Sequence, residues 1–217
     1  MINHSEVLYL PRWTVRWQGV NGEGNHPVVV LLHGWTGDED SMWIFASRLP
    51  EHTVLIAPRG FYSTLSGGYG WQVDIKTSWP SIEDLQPAVN ELISLLGLTT
   101  FHGIDLSRVN LLGFSQGAAL AFTFMILHPN RVQTIGSLSG FLPEDAEYYL
   151  PSSSLKGKIV FIAHGEIDEL VPISRAQRSV ELLMKCGAEV IFCTDNVGHK
   201  LSASCFRSME AFYQNNI

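Results

Sequence analysis

The ten residues Leu111-Leu112-Gly113-Phe114-Ser115-Gln116-Gly117-Ala118-Ala119-Leu120 constrain this chain more than any other stretch. An apolar, strand-like run leads into a serine with a glycine two residues to either side, and a helix-forming run leads out. This is the Gly-x-Ser-x-Gly pattern in the strand–turn–helix context that gives it chemical meaning. Side chains around so sharp a corner collide, so glycine is required before and after it. The turn lifts the Ser115 hydroxyl clear of the sheet and aims the backbone N–H of Gln116 at the oxygen of whatever carbonyl the hydroxyl meets. Taken alone, the same letters also fit a small loop between a strand and a helix.

Three further requirements of an α/β-hydrolase sheet are met in chain order. Pro27 to Leu32 is a continuous apolar run, as in a strand buried on both faces. It ends in His33-Gly34-Trp35-Thr36-Gly37, where the N–H of Trp35 is placed to supply a second oxyanion donor. Lys158 to Ala163 is followed by His164-Gly165-Glu166-Ile167-Asp168, which offers an acid. Glu189 to Cys193 leads through a short loop to Gly198-His199, which offers a base. The order Ser, Asp, His after successive strands predicts a mostly parallel sheet flanked by helices, with a serine nucleophile at the carboxyl ends of its strands.

At these residues the chain resembles the phospholipase/carboxylesterase family of α/β hydrolases, which includes the acyl-protein thioesterases. The resemblance is carried by Leu-His-Gly at 32–34, Ala-Pro-Arg-Gly at 57–60, Gly-Gly-Tyr at 67–69 with Trp71, and Gly-Phe-Ser-Gln-Gly at 113–117. Leu-Ser-Gly-Phe-Leu-Pro at 138–143, His-Gly-x-x-Asp before Val171-Pro172, and Gly-His at 198–199 complete it. It runs from about residue 27 to the C-terminus. Trp35-Thr36-Gly37-Asp38-Glu39 departs from the Gly-Asp-Thr order of the eukaryotic-type thioesterases. The resemblance implies hydrolysis of carboxylic esters or thioesters through an acyl-serine, with no cofactor and no metal.

The 217 residues suit one domain, 1–217, able to bury about 70% of its unfolded surface. A formal charge of −7 leaves no excess of Lys and Arg to neutralise phosphates, which argues against nucleic acid as a partner. No apolar run reaches membrane-spanning length, and Met1 to Glu6 lacks the basic start and apolar core of a signal peptide. A cytoplasmic protein is expected. Cys186, Cys193 and Cys205 form no Cys-x-x-Cys motif and are expected as free thiols.

Along the chain, Val7–Leu10 and Trp13–Trp17 read as strands around Pro11, and strands and helices then alternate as in βαβ units. Residues 82–96 carry apolar groups at helical spacing. Ser81 and Asp84 suggest a capping box, whereas Pro87 suits a first helical position, which leaves two starts open for this helix. Residues 139–157 are too few for a folded cap domain, which predicts an open, shallow acyl site.

Ser115 is the expected nucleophile, His199 the base, and Asp168 the acid that orients it. Glu166, Glu169 and Asp195 are competing carboxylates on the same loops, Asp195 being within reach of Lys200. His33 and His164 each end a buried strand and are read as structural histidines. Trp35 and Gln116 supply the oxyanion donors. Tyr69, Trp71, Phe141 and Leu142 are candidates for the substrate pocket, although an aromatic cluster that only packs a loop fits them equally. An acyltransferase would use the same triad with another alcohol in place of water. A non-catalytic binding member of the fold would ordinarily lack a triad residue.

Overall fold

The structure, a computed structural model, describes residues 5–20, 26–73, 79–101 and 104–217. Strands β1 (Ser5–Leu10), β2 (Trp13–Gln18), β3 (Val28–Leu32), β4 (Val54–Pro58), β5 (Tyr62–Ser63) and β6 (Tyr69–Gly70) precede the first α-helix, α1 (Ile82–Leu96). Then come β7 (Val109–Phe114), α2 (Gln116–Leu127), β8 (Val132–Leu138), α3 (Ala146–Tyr149), β9 (Ile159–Gly165), α4 (Ile173–Lys185), β10 (Glu189–Asp195) and α5 (Ala203–Asn216). One eight-stranded sheet is ordered β1-β2-β4-β3-β7-β8-β9-β10, while β5 and β6 form a separate hairpin. β2 lies antiparallel to β1 and β4, and every pairing from β4 to β10 is parallel.

The apolar runs explain this layering. All five residues of β3 and all five of β4 are buried, as expected where helices cover both faces of a parallel sheet. One face is filled by α1, α2 and α4; on the other, α5 packs with a short 3₁₀ turn over Trp43–Arg48. α2 is apolar all round and buried from Gln116 to Ile126. On the opposite face the Tyr213 hydroxyl donates to Leu111 O at 2.8 Å, satisfying a buried polar group while tying α5 to β7.

The strand order matters most for function. From β3 the chain moves outward to β4, then returns to place β7 on the other side of β3. The order therefore reverses between β3 and β7, and the crevice beyond their carboxyl ends is where such sheets bind ligands. His33 to Gly37 and Ser115 leave the sheet at that point.

One alternative is decided and one expectation is corrected. α1 starts at Ile82, not at Pro87. Ser81 Oγ accepts from Asp84 N, the Asp84 carboxylate accepts from Ser81 N, and Pro87 sits inside the helix. The reciprocal cap and seven buried apolar side chains outweigh the one backbone hydrogen bond that proline cannot donate. Nor are all three cysteines free. Cys193 and Cys205 form a disulfide, with Cα atoms 5.7 Å apart, and Cys186 remains a buried thiol. Their partnership depends on α5 returning beside β10, which residue spacing does not reveal.

Between β8 and β9 there is only the four-residue α3 with its loops, and no large cap domain is inserted. No described helix is long and apolar enough to cross a membrane.

Candidate active site

The corner at Ser115 is as tight as its sequence demands. Ser115 has φ 52° and ψ −115°, a conformation that costs a non-glycine residue about 1–3 kcal/mol. A side chain at Gly113 would strike the backbone of Gly117, and one at Gly117 would strike the Leu32 carbonyl. Both glycines are therefore steric necessities. Ser115 N donates to Leu138 O at 2.9 Å, and Ser115 O accepts from Ala118 N at 3.0 Å, which locks the corner to β8 and to the first turn of α2. Among the described residues, neither Gln116 N nor Trp35 N donates a hydrogen bond.

Asp168 follows β9 and is buried. Its Oδ1 accepts from Leu170 N and Val171 N, both at 2.9 Å, which fixes the plane of the carboxylate. Its Oδ2 lies 2.7 Å from His199 Nδ1. An acceptor on that side holds the proton on Nδ1 and leaves Nε2 free to accept from a hydroxyl. The His199 ring lies 4.9 Å from that of Phe114, the residue before the elbow serine. Ser115 Oγ and His199 Nε2 share no hydrogen bond among the described residues; in free enzymes this contact is often long and tightens on substrate.

The other candidate acids have other partners. Glu166 accepts from the Thr194 hydroxyl at 2.9 Å on an exposed face, and Glu169 is exposed. Asp195 accepts from Ser204 Oγ at 2.7 Å and from Asn196 N at 2.9 Å. Asp168 is the carboxylate that meets His199.

His33 and His164 serve the loops. Burial lowers the pKa of each, favouring the neutral ring. His33 Nε2 accepts from Gly60 N at 2.8 Å, so its Nδ1–H is the donor to Gly34 O at 2.7 Å. His164 Nε2–H donates to Val171 O at 2.7 Å and lies 3.5 Å from Asp168 Oδ2, beside the acid loop.

The loop after β3 is braced from several sides. Tyr69 N donates to Gly37 O at 2.8 Å, joining the β5–β6 hairpin to it. Trp71 stacks on His33 at 4.7 Å, its Nε1 donates to His33 O at 2.8 Å, and its backbone N donates to Gln116 Oε1 at 3.0 Å. The Gln116 side chain thus connects the elbow to the opposite loop. Arg59 forks onto Glu39 with two bonds of 2.6 Å, reaches the Tyr69 hydroxyl at 3.3 Å, and lies 4.6 Å over the Tyr69 ring. Burial of Glu39 beside that guanidinium was not read from the sequence. The signal was present: Arg59 follows the buried strand β4, where a charge requires a partner.

Of the suggested pocket residues, Tyr69 is half-buried, Trp71 is fully buried, and Phe141 and Leu142 are nearly so. Phe141 lies edge-on to Trp79 at 4.7 Å, and Leu142 N donates to Ser179 Oγ at 2.9 Å. A cavity of about 490 Å³ lined by Gln18, Trp43, Glu51, His52 and Thr53 opens beside the end of β2 and the start of β4, and contains none of these side chains. Among the described residues no group of three His, Cys, Asp or Glu side chains is disposed to hold a metal ion.

The profile of the phospholipase/carboxylesterase family matches residues 20–217. The chain belongs to this family. Membership supports hydrolase activity of the carboxylesterase or thioesterase type. Acyl-protein thioesterase 1 of Yarrowia lipolytica is 26% identical over 176 residues, covering 72% of this chain and 75% of that protein. The crystal structure of the Bacillus cereus carboxylesterase superposes with a TM-score of 0.83 at 22% identity, over 95% of this chain and 96% of that one. The carboxylesterase from Mesorhizobium loti superposes with a TM-score of 0.82 at 25% identity, over 97% and 98% of the two chains. These likenesses show the fold.

Proposed function

We propose that the protein hydrolyses carboxylic esters or thioesters through an acyl intermediate on Ser115. The observation that carries this reading is the hydrogen bond from partly exposed His199 to buried Asp168, with the His199 ring against Phe114 of a strained serine elbow. His199 Nε2 takes the proton of Ser115 Oγ as that oxygen bonds to the substrate carbonyl carbon. The carbonyl oxygen becomes an oxyanion and is received by the backbone N–H groups of Trp35 and Gln116; one such donor is typically worth about 3 kcal/mol of barrier. The imidazolium, stabilised by Asp168, gives its proton to the departing alcohol or thiol. Water then repeats the sequence on the acyl-serine and frees the acid.

The short 139–157 segment leaves the acyl group to be received by loops. Each further methylene that finds apolar cover adds about 0.8 kcal/mol, and one left in water adds nothing. Specificity therefore rises over short acyl chains and levels off within roughly eight carbons on this per-methylene scale. p-Nitrophenyl and thioester series of increasing length, with and without emulsion, measure this. A climb continuing to long chains, or a jump at the oil–water interface, would contradict the open-site reading.

The decisive experiment is labelling with a fluorophosphonate, followed by mass mapping. A single adduct on Ser115, with Ser115→Ala folded and nearly inactive, is the expected result. An adduct on another serine, or near wild-type turnover by a pure Ser115→Ala sample, would remove the assignment.

A further inference from the structure

His199 rides on the connection between the end of β10 at Asp195 and the start of α5 at Ala203. Cys193 lies on β10 and Cys205 in the first turn of α5, so their bond closes a covalent ring around that connection, with the two cysteines twelve residues apart. On its inner side the connection is already held to the acid loop. Glu166 N donates to Asp195 O at 2.9 Å and Ile167 N to Val197 O at 3.2 Å, and only glycine at 165 leaves room for the carbonyls of Val197 and Gly198.

The outer side is poorly supported. β10 is the edge of the sheet, with β9 its single neighbour and much of its length exposed. Apart from the disulfide, the side-chain bond that joins β10 to the first turn of α5 is Ser204 Oγ donating to Asp195 Oδ2 at 2.7 Å, an exposed contact, while Phe206 stacks that turn on Phe45 at 5.4 Å rather than on β10. The disulfide is thus the covalent link between the edge strand and α5's first turn, and His199 lies on the connection that it closes. The neighbouring thiol does not compete for this pairing, because Cys186 is buried at the far end of α4 beside Leu150.

We infer that the Cys193–Cys205 disulfide is a positioning element for the base. It holds the connection in the conformation in which His199 Nδ1 meets Asp168, and its reduction lowers turnover. The inference rests on reading Ser115, His199 and Asp168 as the triad. The chemistry is an exchange with a dithiol reductant: two electrons pass to the S–S bond, Cys193 and Cys205 become thiols, and the reductant closes to its own disulfide. Misplacement of a catalytic group by about 1 Å costs up to 10²-fold, so kcat should fall roughly ten- to a hundredfold while KM moves little.

The test compares protein purified without reductant, the same protein reduced with dithiothreitol and then reoxidised, and the double variant Cys193→Ala/Cys205→Ala. Each is assayed with p-nitrophenyl butyrate and a fluorophosphonate, well below its melting temperature. Circular dichroism monitors the fold, and the far-downfield proton resonance of the His199–Asp168 hydrogen bond monitors the pair. The expected result is one bonded cysteine pair and one free thiol in the active protein. On reduction, kcat and the downfield resonance should be lost together with the fold intact, and both should return on reoxidation. Three free thiols in fully active protein would overturn the inference, as would unchanged kcat after proven reduction, or loss of activity only in step with unfolding. A protein that is active and labelled yet indifferent to reduction loses this inference alone. An oxidised protein that neither hydrolyses the ester nor takes the label loses the triad reading as well.

Discussion

Asp168 shows how much one carboxylate can be asked to do. Its two oxygens accept from Leu170 N, Val171 N and His199 Nδ1, so its position is set by main chain and its charge is spent on the imidazole. Asparagine would preserve the shape and lose the charge, and its amide N–H₂ facing Nδ1 would favour the wrong tautomer. Asp168→Asn should therefore fold normally and lower kcat by about 10⁴, the size of the effect in serine proteases. Glu166→Gln removes only an exposed acceptor for Thr194 and should stay within a few-fold. Steady-state kinetics on the two variants separate these roles, and a large loss in Glu166→Gln would move the acid to the wrong side of the loop.

At the level of elements, the elbow is built by two backbones that approach too closely for any side chain. Gly117 sits against the Leu32 carbonyl, so α2 and β3 are in contact through main chain. Gly117→Ala must push these elements apart, and should cost about 3 kcal/mol, the upper range of overpacking effects. Gly157 provides the contrast. It has φ 81° and open space around it, so Gly157→Ala meets conformational strain alone and should cost about 1 kcal/mol. Urea unfolding midpoints of the two variants test the distinction, and equal losses would show that contact is not what makes Gly117 necessary.

Across the molecule, the Glu39–Arg59 pair joins the loop after β3, the loop after β4 and, through Tyr69, the β5–β6 hairpin. The Arg59 hydrogen bonds hold the Glu39 carboxyl below the usual carboxylate range. A group whose pKa is depressed by folding stabilises the native state above its unfolded pKa, about 4.3 for Glu, and loses that contribution as pH falls through the folded value. Glu39→Gln should therefore destabilise by about 2 kcal/mol at pH 7, the scale of hydrogen bonds to charged groups. The gap between wild type and variant should narrow below about pH 4. Denaturant titrations at pH 7 and pH 3 measure both values, and a gap that widened in acid would give the pair the opposite sign.

The chain's own letters determined a good deal of this protein: the parallel-sheet architecture, the elbow at Ser115, and the loops after successive strands that carry Trp35, Asp168 and His199. These are legible because each depends on a local rule. Buried strands are continuously apolar, glycine is forced where backbones touch, and the loops follow strand ends in order. What tertiary structure decided has a different character. The aim of Asp168 Oδ2 at His199, with Asp195 turned instead to Ser204 in the first turn of α5, depends on how the loops pack. The start of α1 at Ile82 turned on burial and a reciprocal cap outweighing Pro87. The Cys193–Cys205 bond and the Glu39–Arg59 fork join positions that only the path of the chain brings within reach. Periodicity and turn chemistry act over a few residues, whereas the distance between two loops is set by strand order and packing, which no single segment encodes.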